Sequence, residues 1–281
     1  MREVNVQDIT DAVREMAIDV NLHLSEGLVD DLAKALEREE SPLGREIIER
    51  IIDNARAARD KQLPACQDTG TAVVMAEIGQ DVHLVGGDLT EAINEGVERG
   101  YKEGRLRMSI VGDPIRRVNT NTNAPAVVHT FIVPGEGVKI SFMAKGSGCE
   151  NMSRLKMLNP ADGEEGILRF IEEAVIEADG RACPPMTLGV GLGGDLEQAA
   201  LLAKRALFRA PLGAPNPAGH VADLERKILA RVNATGVGPM GMGGRVTALA
   251  VHVEVAPVHI SSLPLALNVD CHAHRHRSVE L

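Results

Sequence analysis

The sequence predicts an α/β protein in which a helical segment over about the first 60 residues precedes mixed sheets flanked by helices. Three observations predict it. Apolar residues keep helical spacing up to Pro64, short apolar runs bounded by glycine follow, and helical patterns then alternate with such runs. That length can bury a substantial core in one large domain or two modest ones, and one domain spanning residues 1–281 is expected.

In order along the chain, Ile9, Val13, Met16, Ala17 and Val20 share one helical face, as do Leu28, Leu32 and Leu36. Ser41 followed by Pro42 reads as a cap and first turn leading into Leu43, Ile47, Ile48, Ile51, Ile52 and Ala55. After Pro64, strands are expected at Thr71–Ile78, Val82–Val85, Ala126–Val133 and Val138–Met143, the last two joined by a Pro-Gly turn. Helices are expected at Thr90–Tyr101, Gly166–Ala178, Leu196–Phe208 and Ala222–Val232, with strands at Met186–Val190 and Val246–Val255. Residues Arg209–Gly219, rich in Pro, Gly and Ala, read as a loop.

A formal charge of −10 argues against a nucleic-acid partner, because a phosphate-binding surface needs a basic face. Aromatic content of 2% with no Trp also removes stacking platforms for single strands. No apolar stretch approaches the roughly 20 residues of a membrane span, and the N-terminus shows no apolar secretion signal. Four cysteines in a chain this long make a poor disulfide framework, so a reducing, cytoplasmic location is expected.

Three of those cysteines lie in separate short motifs: Ala65-Cys66-Gln67-Asp68-Thr69-Gly70, Ala182-Cys183-Pro184-Pro185 and Asp270-Cys271-His272. Any one cysteine alone is more often a buried small hydrophobe. Here, however, polar residues or prolines surround each. No C-x-x-C pair occurs, so only a folded domain could bring them together. Three thiolates suit an iron–sulfur cluster with one iron left open to substrate. A zinc site completed by His272, His274 or His276 is the alternative, although structural zinc sites usually show two close ligand pairs.

Two glycine-rich stretches complete the motif set. Gly189-Val-Gly191-Leu-Gly193-Gly194 fits the dinucleotide fingerprint, but the acidic ribose partner due about 20 residues later is missing. Tight strand–helix packing explains these glycines better. Lys145-Gly-Ser-Gly-Cys149-Glu-Asn-Met-Ser153 is a turn whose backbone N–H groups could form a nest for a carboxylate, or simply a turn.

Taken with Leu-Arg-Met-Ser at 106–109, Asn-Thr-Asn-Thr-Asn-Ala-Pro-Ala at 119–126, Gly-Met-Gly-Gly at 241–244 and His-Ile-Ser-Ser-Leu-Pro at 259–264, these motifs resemble the class I, iron–sulfur fumarate hydratases. The related L-tartrate dehydratases share the pattern, which covers the chain from about residue 60 onward. The resemblance implies a [4Fe-4S] cluster held by Cys66, Cys183 and Cys271. It implies substrate-site roles for Gln67, Asp68, Arg107 and Gly146, and a histidine near the cluster at His259. Cys149 departs from the family, which usually has serine there. Single-chain members carry a further domain after the third cysteine, so the chain resembles the α subunit of the two-subunit form.

The function so implied is that of a hydro-lyase α subunit interconverting (S)-malate and fumarate within the tricarboxylic acid cycle. Asp68, with His259, would handle the hydroxyl proton. Alternatively, His259 would support the cluster without proton transfer. Arg107 would fork a substrate carboxylate. A β subunit would supply the remaining residues in a hetero-oligomer (α2β2). The alternatives are an L-tartrate dehydratase α subunit, or a non-catalytic iron–sulfur or zinc protein that senses redox state.

Overall fold

The structure, a computed structural model, describes residues 1–24 and 26–281. In chain order the elements are β1 (Arg2–Asn5), α1 (Val6–Leu22), α2 (Glu26–Arg38), α3 (Pro42–Lys61), β2 (Thr71–Gly79), β3 (Val82–Val85) and α4 (Leu89–Glu103). There follow β4 (Val127–Val133), β5 (Val138–Lys145), the short helical turn α5 (Ser147–Glu150), β6 (Arg154–Leu158) and α6 (Gly163–Ala178). The chain closes with β7 (Met186–Gly194), α7 (Leu196–Ala206), α8 (Gly219–Asn233), β8 (Ala248–Val258), β9 (Leu263–Asp270) and β10 (His276–Glu280). The α/β class with a helical N-terminal segment is what the sequence predicts. The first element is nonetheless a strand, because Arg2–Asn5 pairs in parallel with Val82–Val85.

Two compact units divide the chain. The first comprises Met1–Ser25, Ala55–Ser147 and Arg275–Leu281. Its four-stranded sheet has the order β10-β5-β2-β4, with β2 parallel to β4 and the other neighbours antiparallel. Asn5 caps α1 by accepting the Gln7 N–H, and Asp88 caps α4 by accepting from Thr90 and Glu91. The apolar face of α1 (Ile9, Val13, Met16, Ala17, Val20) is buried in one core with Val74, Ala76, Ile140 and Phe142 of the sheet and Ile93, Val97 and Tyr101 of α4. Burial of that face, rather than intrinsic propensity, accounts for most of the stability of such a helix.

The second unit comprises Glu26–Asn54 and Gly148–His274. Its sheet has the order β6-β9-β7-β8, with β7 parallel to β8 and β9 antiparallel to both β7 and β6. The glycines of the apparent fingerprint lie inside β7. A Cβ at Gly189 would come within 2.2 Å of the Ala203 carbonyl oxygen, and one at Gly191 within 2.0 Å of that of Ala199. Bare backbone at these positions therefore lets α7 lie directly on the strand. Asp195 then caps α7 by accepting the Gln198 N–H at 2.8 Å, leaving no phosphate-binding loop between strand and helix.

Candidate functional site

In the first unit, the motifs carrying Cys66 and Arg107 are tied together by buried polar contacts. Tyr101 Oη donates to the carbonyl oxygens of Thr69 (2.6 Å) and Gly70 (3.0 Å), fixing the turn that follows Asp68. Burial pushes the Tyr101 phenol pKa upward, so it stays a neutral donor. Thr69 Oγ1 donates to the Arg107 carbonyl oxygen at 3.0 Å, and Asn123 Nδ2 to that of Gly70 at 3.1 Å. Asn123 Oδ1 in turn accepts the Ser109 N–H at 2.7 Å. Two separate motifs and the end of α4 thus converge on one turn.

Asp68 is held within this turn by both oxygens. Oδ1 accepts the Gly70 N–H at 3.0 Å, and Oδ2 accepts the Ser147 N–H at 2.8 Å. The second bond docks the Lys145–Ser147 turn, with buried Gly146, onto the Cys66–Gly70 turn. Underneath, the guanidinium of Arg275, 1% exposed, donates to the Asp68 carbonyl oxygen and to Asn21 Oδ1, both at 2.8 Å. Cys66 is half-buried, and its Sγ lies 3.7 Å from Gln67 Oε1. The side chains of Gln67 and Arg107 reach solvent. Cys66, Gln67, Asp68, Arg107 and Gly146 therefore belong to one unit, with a carboxylate and a guanidinium on adjoining segments.

Cys183 and Cys271 belong to the second unit, on adjoining segments. His272 meets the Cys183 carbonyl oxygen through its backbone N–H (3.3 Å) and through Nδ1 (3.0 Å). Cys183 adopts a left-handed backbone, φ 50°, at the end of the turn Asp179–Ala182. A glycine loop braces that turn. Met240 N–H donates to the Pro184 carbonyl oxygen at 2.9 Å, and a Cβ at Gly180 would meet the Met240 carbonyl oxygen at 2.6 Å. A Cβ at Gly241, the first residue of the Gly-Met-Gly-Gly motif, would meet Gly180 Cα at 2.6 Å, so glycine there lets the loop lie against that turn.

None of the four cysteines is in a disulfide. Among the described residues, Cys149, Asp270 and Cys271 form one buried group able to hold a metal ion, with their ligand atoms all within 4.8 Å of one another. Cys149 Sγ lies 3.2 Å from Asp270 Oδ1, and Asp270 Oδ2 lies 2.5 Å from Nδ1 of the buried His274. The sequence reading gave no role to Asp270 and treated His274 only as a zinc ligand. The juxtaposition of Cys149 with Asp270, 121 positions apart, has no local signal.

His259 lies elsewhere in the second unit. It is exposed after β8, with Nδ1 2.8 Å from Ser261 Oγ, on the rim of an open cavity of about 460 Å³ that His220 and Glu164 also line. Cys271 follows β9 and His259 precedes it. The eight residues of that strand, at about 3.4 Å each, place the two at opposite ends of the sheet.

A family description, fumarate hydratase (Fumerase), matches residues 10–280. The chain belongs to the fumarate hydratase family. It is 37% identical over 273 residues to "Putative L(+)-tartrate dehydratase subunit alpha" of Methanocaldococcus jannaschii, covering 95% of both chains. It is 31% identical over 273 residues to L(+)-tartrate dehydratase subunit alpha of Escherichia coli K12, covering 96% of this chain and 89% of that one. The Shigella sonnei protein of the same name matches equally well. Cys66 in the first unit, and Cys183 and Cys271 in the second, each lie in a turn or at a strand end rather than inside a helix, an environment that suits a thiolate ligand.

Proposed function

We propose that the chain is the α subunit of a hydro-lyase that removes water from a four-carbon 2-hydroxy dicarboxylate, with (S)-malate and fumarate as the substrate pair. Family membership supports the reaction class. The observation that carries the site is the Cys66–Gly70 turn, in which a carboxylate with both oxygens held by amides adjoins the Arg107 segment. Cys66, Cys183 and Cys271 would hold a [4Fe-4S] cluster. When bound, the cluster would supply a Lewis acid for the departing hydroxyl.

The chain's own residues do the rest. Arg107, exposed on its loop, can fork a substrate carboxylate with two parallel N–H donors. Gln67, next to Cys66, offers an amide to the same ligand. Buried Gly146 permits close approach of the backbone, and Asp68 holds or moves a proton at the substrate's hydroxyl oxygen. The amides on Asp68 fix its orientation before substrate arrives. His259, exposed after β8, would act with Asp68 on the hydroxyl proton or, alternatively, support the cluster without proton transfer.

A β subunit as partner is supported by the relatives, which are named as α subunits and are covered over 89% or more of their length. L(+)-tartrate is the second reading, favoured by those same names. The test is an anaerobic assay of the chain, iron-reconstituted and paired with a β subunit, on malate and on tartrate. Cys66→Ser, Cys183→Ser and Cys271→Ser should each abolish the cluster's visible absorbance, whereas Cys149→Ser should keep it. Turnover of neither substrate, or a cluster surviving Cys271→Ser, would overturn the proposal.

A further inference from the structure

We infer that Cys149, Asp270 and Cys271 form a second, mononuclear site for a soft divalent ion such as Zn²⁺, and that this site competes with the cluster for Cys271. The inference rests on the proposed cluster role of Cys271. The site itself is read from the second unit alone.

Four observations converge. The three donor atoms lie within 4.8 Å of one another and all three residues are buried. Ligands at about 2.0–2.3 Å from a tetrahedral zinc lie roughly 3.3–3.8 Å apart. The Cys149 Sγ to Asp270 Oδ1 separation of 3.2 Å is already close to that, and Cys271 Sγ lies within 4.8 Å of both. Asp270 is oriented from behind, because its other oxygen meets His274 Nδ1 at 2.5 Å. A carboxylate fixed by a histidine in this way is the outer-partner arrangement that tunes metal ligands. Finally, two sulfurs and one oxygen form a donor set that prefers zinc to magnesium or calcium.

Cys149 is the residue that makes the difference. With serine at this position, the set falls to one thiolate and one carboxylate, too few for tight zinc binding. With cysteine, two thiols lose their protons to the solvent and bind the ion alongside the Asp270 carboxylate, and the fourth position stays open to water. An ion held there occupies the Cys271 thiolate, which is then unavailable for iron–sulfur assembly. Zinc capture would thus turn a cluster-free chain into one that resists reconstitution.

The test uses the full chain stripped of iron by chelator under a thiol reductant. Titration with Co²⁺ as the optical probe, followed by displacement with Zn²⁺, should show one ion per chain and a thiolate-to-metal charge-transfer band. Zn²⁺ should protect Cys149 and Cys271 from alkylation while leaving Cys66 reactive, a readout that needs no variant. Cys149→Ser should weaken binding by more than the ~10–100-fold typical of losing an outer partner. The same variant should assemble the cluster in the presence of Zn²⁺ concentrations that block the parent chain. Wild-type affinity in Cys149→Ser, or equal protection of Cys66, would overturn the inference and leave the cluster reading intact. Loss of cluster absorbance from Cys149→Ser without Zn²⁺ would instead strike at the proposed ligand set.

Discussion

Glu39 and Val246 lie 207 positions apart in the chain, yet Glu39 Oε2 accepts the Val246 N–H at 2.8 Å. The same carboxylate takes the Arg245 N–H at 2.9 Å and, through Oε1, the Ser41 N–H at 2.8 Å. It is 2% exposed. A side chain at the end of α2 thereby clamps the glycine loop that braces the Cys183 turn.

Burial alone would raise the Glu39 pKa, but hydrogen bonds from the amides of Ser41, Val246, Arg245 and Glu40 outweigh it and hold the carboxyl below its usual range. A depressed folded pKa stabilises the fold above the ordinary value of 4.5, and the effect fades as pH falls through the folded pKa. Glu39→Gln should therefore cost about 1–3 kcal/mol at neutral pH by denaturant titration. The gap to the parent chain should shrink in acid. A gap that stays constant with pH would show that the ionised carboxylate is not what the amides hold.

His252 sets a second window. Desolvation, helped by the nearby charges of Arg209 and His274, lowers its pKa from 6.5 to about 4. The neutral ring fits its partners: Nδ1 donates to the Ala206 carbonyl oxygen at 3.1 Å, and Nε2 accepts the Gly213 N–H at 3.2 Å. The stabilisation is full above about 6.5 and is lost as pH falls toward about 4. Stability should drop by on the order of 3 kcal/mol across that window. His252→Gln should remove most of this slope, and an unchanged slope would assign it to other groups.

Gly191→Ala should be poorly tolerated. Its Cβ would meet the Ala199 carbonyl oxygen at 2.0 Å, backbone against backbone, so α7 must lift off β7. A loss of at least ~3 kcal/mol is expected, at the upper end of ordinary overpacking. Gly137→Ala, where nothing lies within 4 Å, serves as the control and should leave the melting temperature nearly unchanged. Equal melting temperatures for the two would refute close packing of α7 on the strand.

Asp68→Asn should lower turnover by at least ~100-fold, the usual scale of a positioned proton-transfer group. The fold should persist, because the amide oxygen can still accept one of the two backbone N–H bonds. Arg107→Ala should act mainly on KM, since its side chain is exposed and only its backbone serves the fold. Near-parent kinetics for Asp68→Asn would remove it from the chemistry.

Most of the strong elements were legible because their patterns are periodic and apolar. The face of α1 and the runs in β2, β3 and β5 name themselves. Strands β1, β6 and β10 were not foreseen. Segments such as Arg2-Glu3-Val4-Asn5 and His276-Arg277-Ser278-Val279-Glu280 carry charge, because β6 and β10 are sheet edges with one side unpaired and β1 sits in a two-stranded ribbon. The central strand β9 was hidden differently, since Pro264 near its start reads as a break until β6 is seen pairing alongside. At the proposed site, Asp68 and Arg107 announced themselves through their motifs. Arg275, Tyr101 and Glu39 did not, because each supports its turn from a distant part of the chain.

The two units interleave along the polypeptide, and this governs how the protein must be made. The sheet of the first unit gains its edge strand β10 only after all of the second unit has been synthesised, and the second unit draws α2, with Glu39, from well before its main stretch. The first unit is therefore the last to be completed, since its final strand follows the end of the second. A fragment beginning at Gly148 would hold Cys183 and Cys271 but would lack the Glu39 anchor for the loop that braces Cys183. The Cys183 turn therefore reaches its braced form only after both α2 and the Arg245–Val246 loop have been made.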